Sequence, residues 1–272
     1  MKEIEHKDLD SFLNTGLKAV AWGREILQGL FGRPFKVMQK GTHYNLVTEA
    51  DLACEKAIVK TIAAEFPAHN ILAEEHKYRQ TDSPFCWIID PLDGTTNFVH
   101  HIPHYAISVA LAYQNEILVG IVADPAKGET FYAVKGWGAF LNERPIQVSG
   151  AATLNESLLI TGFYYERGTK LTQAMALIEF LLKGGIIDIR RFGAASLDLC
   201  YVACGRADGY FEYQLNSWDY AAGLLILAEA GGKITDYSGS PLSLLPSSVV
   251  GTNGLIHSKL LEAIGQNQLL AI

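Results

Sequence analysis

Apolar residues recur along this chain with two different periods, and the switches between them mark its elements. Leu9, Phe12, Leu13, Leu17, Val20, Ala21, Ile26, Leu27 and Leu30 fall near helical spacing, which predicts an amphipathic helix over Leu9–Leu30, ended by Gly29, Gly32 and Pro34. Residues 36–45 (KVMQKGTHYN) carry no period and read as a mobile loop bordering a site. A second helix is expected to start in Leu46–Asp51 and to run to about Phe66, where Pro67 closes it. Short apolar runs then predict strands at Ile71–Ala73, Trp87–Ile89, Tyr105–Tyr113, Ile117–Ala123 and Glu129–Val134. Gly136-Trp137-Gly138 echoes part of a nucleotide-binding glycine pattern, but no strand-then-helix context surrounds it, so it reads as a hairpin bend.

A run of small polar residues near Val148–Thr153 reads as a seam, which divides the chain into halves 1–148 and 149–272 of one compact unit. Beyond the seam, strands are expected at Leu158–Ile160, Ile186–Arg190, Ala207–Tyr213, Lys233–Thr235 and Ser248–Thr252. Helices are expected at Leu171–Leu182, Leu197–Cys204, from an N-cap at Ser217 to Glu229, and at Ile256–Ile264. No internal repeat of 20–50 residues stands out. At 272 residues the chain can bury a large core, and its alternation of strands and helices places it in the α/β class.

Charge narrows the functional classes. A net charge of −7 makes nucleic acid an unlikely direct ligand and an anionic membrane surface a poor one. No apolar run approaches the length of a membrane span, and the opening MKEIEHKDLD lacks the apolar core of a signal peptide. Cys54, Cys86, Cys200 and Cys204 sit in apolar or helical contexts, which predicts free buried thiols in a reducing cytoplasm. Cys200 and Cys204 lie one helical turn apart, but no second Cys/His pair at zinc spacing accompanies them.

The most informative stretch is Cys86–His100, CWIIDPLDGTTNFVH. Its apolar run should end at Asp90, because Pro91 has no N–H to continue a ladder. Asp93 follows three residues later, and Gly94 allows positive φ or a close approach to a ligand. Two carboxylates on one tight turn repel each other unless a cation sits between them, and hard oxygen ligands of this kind suit Mg²⁺. The plain alternative is a polar strand exit with Asp as turn former. Other acids fall at element ends and each has its own structural account. Asp51 completes a Thr48-x-x-Asp51 capping box, which on the residues alone is the preferred reading, and Asp219 complements a helix dipole. Glu74-Glu75 closes an apolar strand, where α/β folds place chemistry. Phe192-Gly193-Ala194-Ala195-Ser196 opens a helix with small residues, which suits either an anion or close helix packing.

Taken together, these segments resemble the inositol monophosphatase family. The resemblance rests on Leu46-Val47-Thr48-x-x-Asp51, Ala73-Glu74-Glu75, Trp87–Phe98, the Gly193-Ala194-Ala195 helix opening, Trp218-Asp219-x-Ala221-Ala222-Gly223 and Glu229-Ala230-Gly231-Gly232, in order from about residue 10 to the C-terminus. Two positions depart from the family pattern: His76 replaces the commoner serine, and Asn45 stands where many members carry aspartate. The resemblance implies a layered αβαβα sandwich of the inositol monophosphatase and fructose-1,6-bisphosphatase type, a homodimer, and Mg²⁺-dependent, lithium-sensitive hydrolysis of a small phosphorylated polyol. It implies two to three Mg²⁺ per site. One would be held by Glu74, Asp90 and the carbonyl of Leu92, a second by Asp90, Asp93 and Asp219, and a looser third by Glu74 through water. Asp51 and Thr95 would form a hydrogen-bonded pair that, with Glu74, activates water. The N–H groups of Gly94 and Thr95, beside Asp93, would hold phosphate, while Gly193, Ala195, Glu212 and Asp219 would meet the alcohol. Sibling phosphatases acting on fructose 1,6-bisphosphate, histidinol phosphate, NADP or a 3′-phosphonucleotide share this pattern. A regulatory partner of the transcription machinery is the reading from a different class.

Overall fold

A computed structural model describes residues 5–39, 46–163 and 168–270, with side chains to 267. Helix α1 (His6–Leu30) is followed by a small antiparallel pair, β1 (Val37–Gln39) and β2 (Leu46–Thr48), and by α2 (Glu49–Glu65). The predicted start of the second helix is therefore corrected. Leu46–Thr48 is extended, and Thr48 caps α2 by accepting the Ala50 and Asp51 N–H groups. Part of the expected loop is strand β1, and residues 40–45 of it, with Asn45, lie outside the described residues.

The first large sheet is built from β3 (Asn70–Ala73), β4 (Phe85–Asp93), β5 (Ala106–Tyr113), β6 (Glu116–Asp124), β7 (Glu129–Val134), β8 (Gly138–Leu141) and β9 (Arg144–Pro145), in that spatial order. Only the β3–β4 pair is parallel; the rest is an antiparallel meander, and Gly136–Gly138 forms its expected hairpin bend. A short helix, α3 (Thr95–Val99), follows β4.

The second sheet has the order β11 (Asp188–Arg190), β10 (Leu158–Thr161), β12 (Gly209–Leu215), β14 (Ser247–Thr252) and β13 (Lys233–Thr235). Helices α4 (Thr169–Lys183), α5 (Ala195–Ala203), α6 (Ser217–Glu229) and α7 (His257–Leu270) connect these strands or follow them. The N-cap of α6 is Asn216, one residue before the expected Ser217.

Alternation along the strands sorts the layers. On β4, Trp87 and Ile89 join Phe12, Val20, Ile58 and Ile62 of α1 and α2 in one core, while Ile88 faces the other way, toward α5 and α6. On β12, Tyr210 faces that middle layer and Phe211 packs with Leu177, Leu181 and Leu260 of α4 and α7. The order is helix, sheet, helix, sheet, helix, the αβαβα sandwich that the resemblance implied. Helix α6 lies so close to the first sheet that a Cβ at Gly120 of β6 would come within 2.6 Å of the Ala222 carbonyl oxygen.

Candidate active site

The site is built around an irregularity in β4. The strand expected to end before Pro91 instead resumes its pairing with β5 beyond the proline. Asp90 pairs with Ser108 and Asp93 with Ala106, so three steps on β4 face two on β5. The bulge absorbs the proline, which has no N–H to offer, and turns both aspartates toward the sheet's end. Asp90 Oδ1 accepts the Leu92 N–H at 3.0 Å. Gly94 then takes φ +87°, and a Cβ there would press on the carbonyl oxygens of His104 (3.1 Å) and Gly193 (3.2 Å). Glycine is needed on both counts. The turn leads into α3, whose first residue, Thr95, lies within hydrogen-bonding distance of both the Leu92 carbonyl (3.0 Å) and Asp51 Oδ1 (3.1 Å).

Asp51 is fully buried on α2. Its other oxygen accepts from the Thr48 backbone N–H (2.8 Å) and hydroxyl (2.5 Å), so the capping box and the pair with Thr95 are both real. Asp93 reaches into the second half of the chain, where its Oδ2 accepts the Ser196 N–H (2.8 Å) and hydroxyl (2.6 Å) at the start of α5. A carboxylate there is favoured by the helix dipole. Asp219 Oδ2 accepts the Asn216 N–H at 2.7 Å in the capping box of α6.

These acids share one cleft of about 130 Å³. It is lined by Glu74, Asp90, Leu92, Asp93, Gly94, Thr95, Gly193, Ala195, Glu212 and Asp219, while Asp51 stands behind Thr95. The fold thus brings to one cleft the residues that the resemblance assigned to metal and substrate, with Asp51 behind them. The walls also hold groups that sequence reasoning passed over: Arg191, Asp198, Gln214 and Asn216. Asp198, in the first turn of α5, looks from sequence like one more dipole complement and carries no separate signal. Among the described lining residues Arg191 is the one basic side chain, facing six carboxylates.

That imbalance is visible in the acidities. Burial, then the neighbouring Glu74, Asp93 and Asp219 charges, holds the Asp90 carboxyl well above the usual range. Burial with Glu74 and Asp93 does the same to Asp219. Burial raises Asp51 and Asp93 to about 6, against the pull of their hydrogen bonds to Thr48 and Ser196. Glu212, buried and accepting the Tyr210 hydroxyl at 2.5 Å, is pushed up to about 7.

The donor chemistry fits a hard divalent cation, since the cleft presents carboxylate and carbonyl oxygens whose mutual repulsion positive charge would relieve. Among the described residues, no three acidic, histidine or cysteine side chains already stand close enough to enclose an ion. The carboxylates of Asp90, Asp93 and Asp219 rest on backbone or side-chain donors instead, and a cation would have to draw them inward.

Comparison with known proteins shows the family of the chain. The profile of the inositol monophosphatase family matches residues 8–269. An inositol-1-monophosphatase of Synechocystis sp. is 45% identical over 262 residues, covering 94% of this chain and 90% of its own. The Nus factor SuhB of Pasteurella multocida is 41% identical, covering 94% and 96%. The solved structure of an IMPase from Thermotoga maritima superposes with a TM-score of 0.88 at 36% identity, covering 96% of this chain and all of that one.

Proposed function

Because the chain belongs to the inositol monophosphatase family, it is a phosphatase of phosphate monoesters, and we propose that its substrate is myo-inositol monophosphate, hydrolysed with Mg²⁺ to inositol and phosphate. One observation carries this reading. Acids from the end of β3, from β4 and from α6 face a single cleft, beside a threonine hydroxyl held by a buried aspartate.

Glu74, Asp90 and the Leu92 carbonyl would hold one Mg²⁺; Asp90, Asp93 and Asp219 a second; and Glu74 a looser third through water. Bound there, the ions would offset phosphoryl charge and acidify the attacking water. The chain's own groups supply position. The Thr95 hydroxyl, donating to Asp51, keeps its lone pairs free to accept a hydrogen bond from the water, and Glu74 would take that water's proton. The Gly94 and Thr95 N–H groups would hold phosphoryl oxygens as charge develops on them. Gly193, Ala195, Glu212 and Asp219 would contact the hydroxyls of the alcohol, with Asp219 on the leaving side. No nucleophilic side chain is required, since phosphoryl transfer depends chiefly on positioning and charge compensation.

The test is phosphate release with Mg²⁺ from inositol monophosphate, fructose 1,6-bisphosphate, histidinol phosphate, NADP and a 3′-phosphonucleotide, repeated with Li⁺. The highest kcat/KM should fall on inositol monophosphate, with inhibition by Li⁺. A clear preference for another member of the panel overturns the assignment of substrate. A homodimer in the cytoplasm belongs to the same proposal, and sedimentation of the purified chain checks the dimer.

The relatives named Nus factor SuhB favour a second reading, in which the chain also binds the transcription machinery. Pull-down from cells, with a phosphatase assay of the same preparation, separates the two roles.

A further inference from the structure

Helix α2 carries a second buried carboxylate one turn beyond Asp51. Glu55 is fully buried on the same face, and its oxygens point at the segment that follows β3. Oε2 accepts the Glu75 N–H at 2.9 Å, and Oε1 lies 2.7 Å from His76 Nδ1 and accepts the Tyr78 hydroxyl at 3.0 Å. A carboxylate can only accept, so His76 Nδ1 must carry a proton toward it. A buried charge is tolerated when hydrogen bonds satisfy it, and here three donors from consecutive stretches of one turn converge on one side chain.

Position gives this cluster its meaning. Glu74 is the first residue past β3, and its own N–H is bonded to the Ile89 carbonyl of β4 at 3.2 Å. The next N–H along the chain is the one Glu55 accepts. The backbone of Glu74 is therefore pinned on one side by the sheet and on the other by a carboxylate in α2. Asp51 and Glu55, at i and i+4, fall on one helical face. The same helix holds Thr95 through the first and the turn after Glu74 through the second.

We propose that Glu55, with His76 and Tyr78, is a positioning clasp that fixes the Glu74 turn in register with Thr95. The clasp also accounts for His76, since the residue that departs from the family pattern supplies one of the three donors. The link from clasp to cation rests on reading Glu74 as a Mg²⁺ ligand, and removing a residue that supports a ligand typically lowers metal affinity by about 10-fold or more.

The test compares wild-type protein with Glu55→Gln, which keeps shape but turns an NH₂ toward one of the donors, and with His76→Ser, a milder change at a half-exposed side chain. The first readout is amide hydrogen exchange of residues 74–78 in metal-free protein. Exchange in Glu55→Gln should rise by about 10-fold or more there, with α1 and the first sheet unchanged. The second is the Mg²⁺ concentration giving half-maximal phosphate release, checked by calorimetric Mg²⁺ titration. It should rise about 10-fold in Glu55→Gln, and by less in His76→Ser, while KM for inositol monophosphate stays within about twofold. Unchanged exchange in both variants overturns the clasp. Faster exchange with unaltered Mg²⁺ dependence overturns its role in positioning Glu74. Equal losses in Mg²⁺ and substrate affinity mark a merely structural residue and also overturn it. If Glu55→Gln does not fold, His76→Ser decides on the same readouts. Wild-type protein that binds no Mg²⁺ would sink the reading of the site, and the exchange data would then still show whether the clasp holds its turn.

Discussion

Replacing Asp51 by Asn separates stability from catalysis, and the geometry fixes the sign of each. An Asn oxygen turned toward Thr48 can keep the cap, accepting the Thr48 N–H and hydroxyl that now lie 2.8 and 2.5 Å from Oδ2. The NH₂ group then faces Thr95. It occupies a lone pair of that hydroxyl, and the hydroxyl proton turns to the Leu92 carbonyl 3.0 Å away. Burial raises the Asp51 carboxyl from 3.8 to about 6, so the fold favours its neutral form more than the unfolded chain does. A raised acid contributes stability that is present below 3.8 and lost as pH rises through 6. At pH 8 the ionised group therefore costs roughly 3 kcal/mol relative to its neutral form. Asn is neutral at every pH and escapes that cost, so the variant should exceed wild type in urea denaturation at pH 8, with the gain shrinking as pH falls toward 4. Turnover should not be spared. A water that loses its oriented acceptor costs roughly 10²–10⁴-fold in kcat. A kcat close to wild type with Mg²⁺ at pH 8 would refute the role given to the Asp51–Thr95 pair, whatever the stability result.

Three further outcomes are expected. In Gly162→Ala the new methyl overlaps the Glu212 carboxylate and drives it off the Tyr210 hydroxyl. KM for inositol monophosphate should then rise roughly 10-fold, the equivalent of one hydrogen bond to a charged group, with half-saturating Mg²⁺ unchanged; the opposite split would remove Glu212 from the alcohol side. Asp93→Asn retains an acceptor for Ser196 and should fold normally, yet lose most Mg²⁺-dependent phosphate release; near-wild-type turnover contradicts its place as a metal ligand. His257, 1% exposed and 3.0 Å from both the Thr235 and Thr252 hydroxyls, is lowered by burial to about 4. The folded state favours its neutral form, so its contribution is complete above pH 6.5 and lost as pH falls toward 4, by roughly 3 kcal/mol. His257→Gln should flatten that acid limb in urea titrations, and an unchanged slope would exclude His257 as its source.

Where burial dictates the residue type, the chain is legible. The long helix α1 and the apolar strands of the first sheet follow from period alone, and cap chemistry places the start of α6 to within one residue. Legibility ends where tertiary pairing overrides a local rule. Pro91 forbids a regular ladder, but a bulge lets β4 pass it, and neither one-residue propensities nor period announces a bulge. Leu46–Thr48 resembles a helix start because capping motifs do not say what precedes the cap; its extended form depends on β1, which ends seven residues upstream of β2. At the site, Asp90, Asp93 and Gly94 are conspicuous because proline and glycine punctuate the turn they share. Asp198 and Arg191 are not, since each becomes meaningful only when α5 and the end of β11 are brought up to β4.

The near-contact of Gly120 with Ala222 has a mechanical consequence. Asp219 comes late in the chain, yet its helix is seated backbone to backbone on the sheet that bears Asp90 and Asp93. Glu212, by contrast, belongs to β12 in the other sheet. Any breathing between the two sheets would open the alcohol's side of the cleft while leaving the cluster of negative charge intact. By the same token, mutation could retailor what the second sheet grips and leave the machinery for cutting phosphate where it stands.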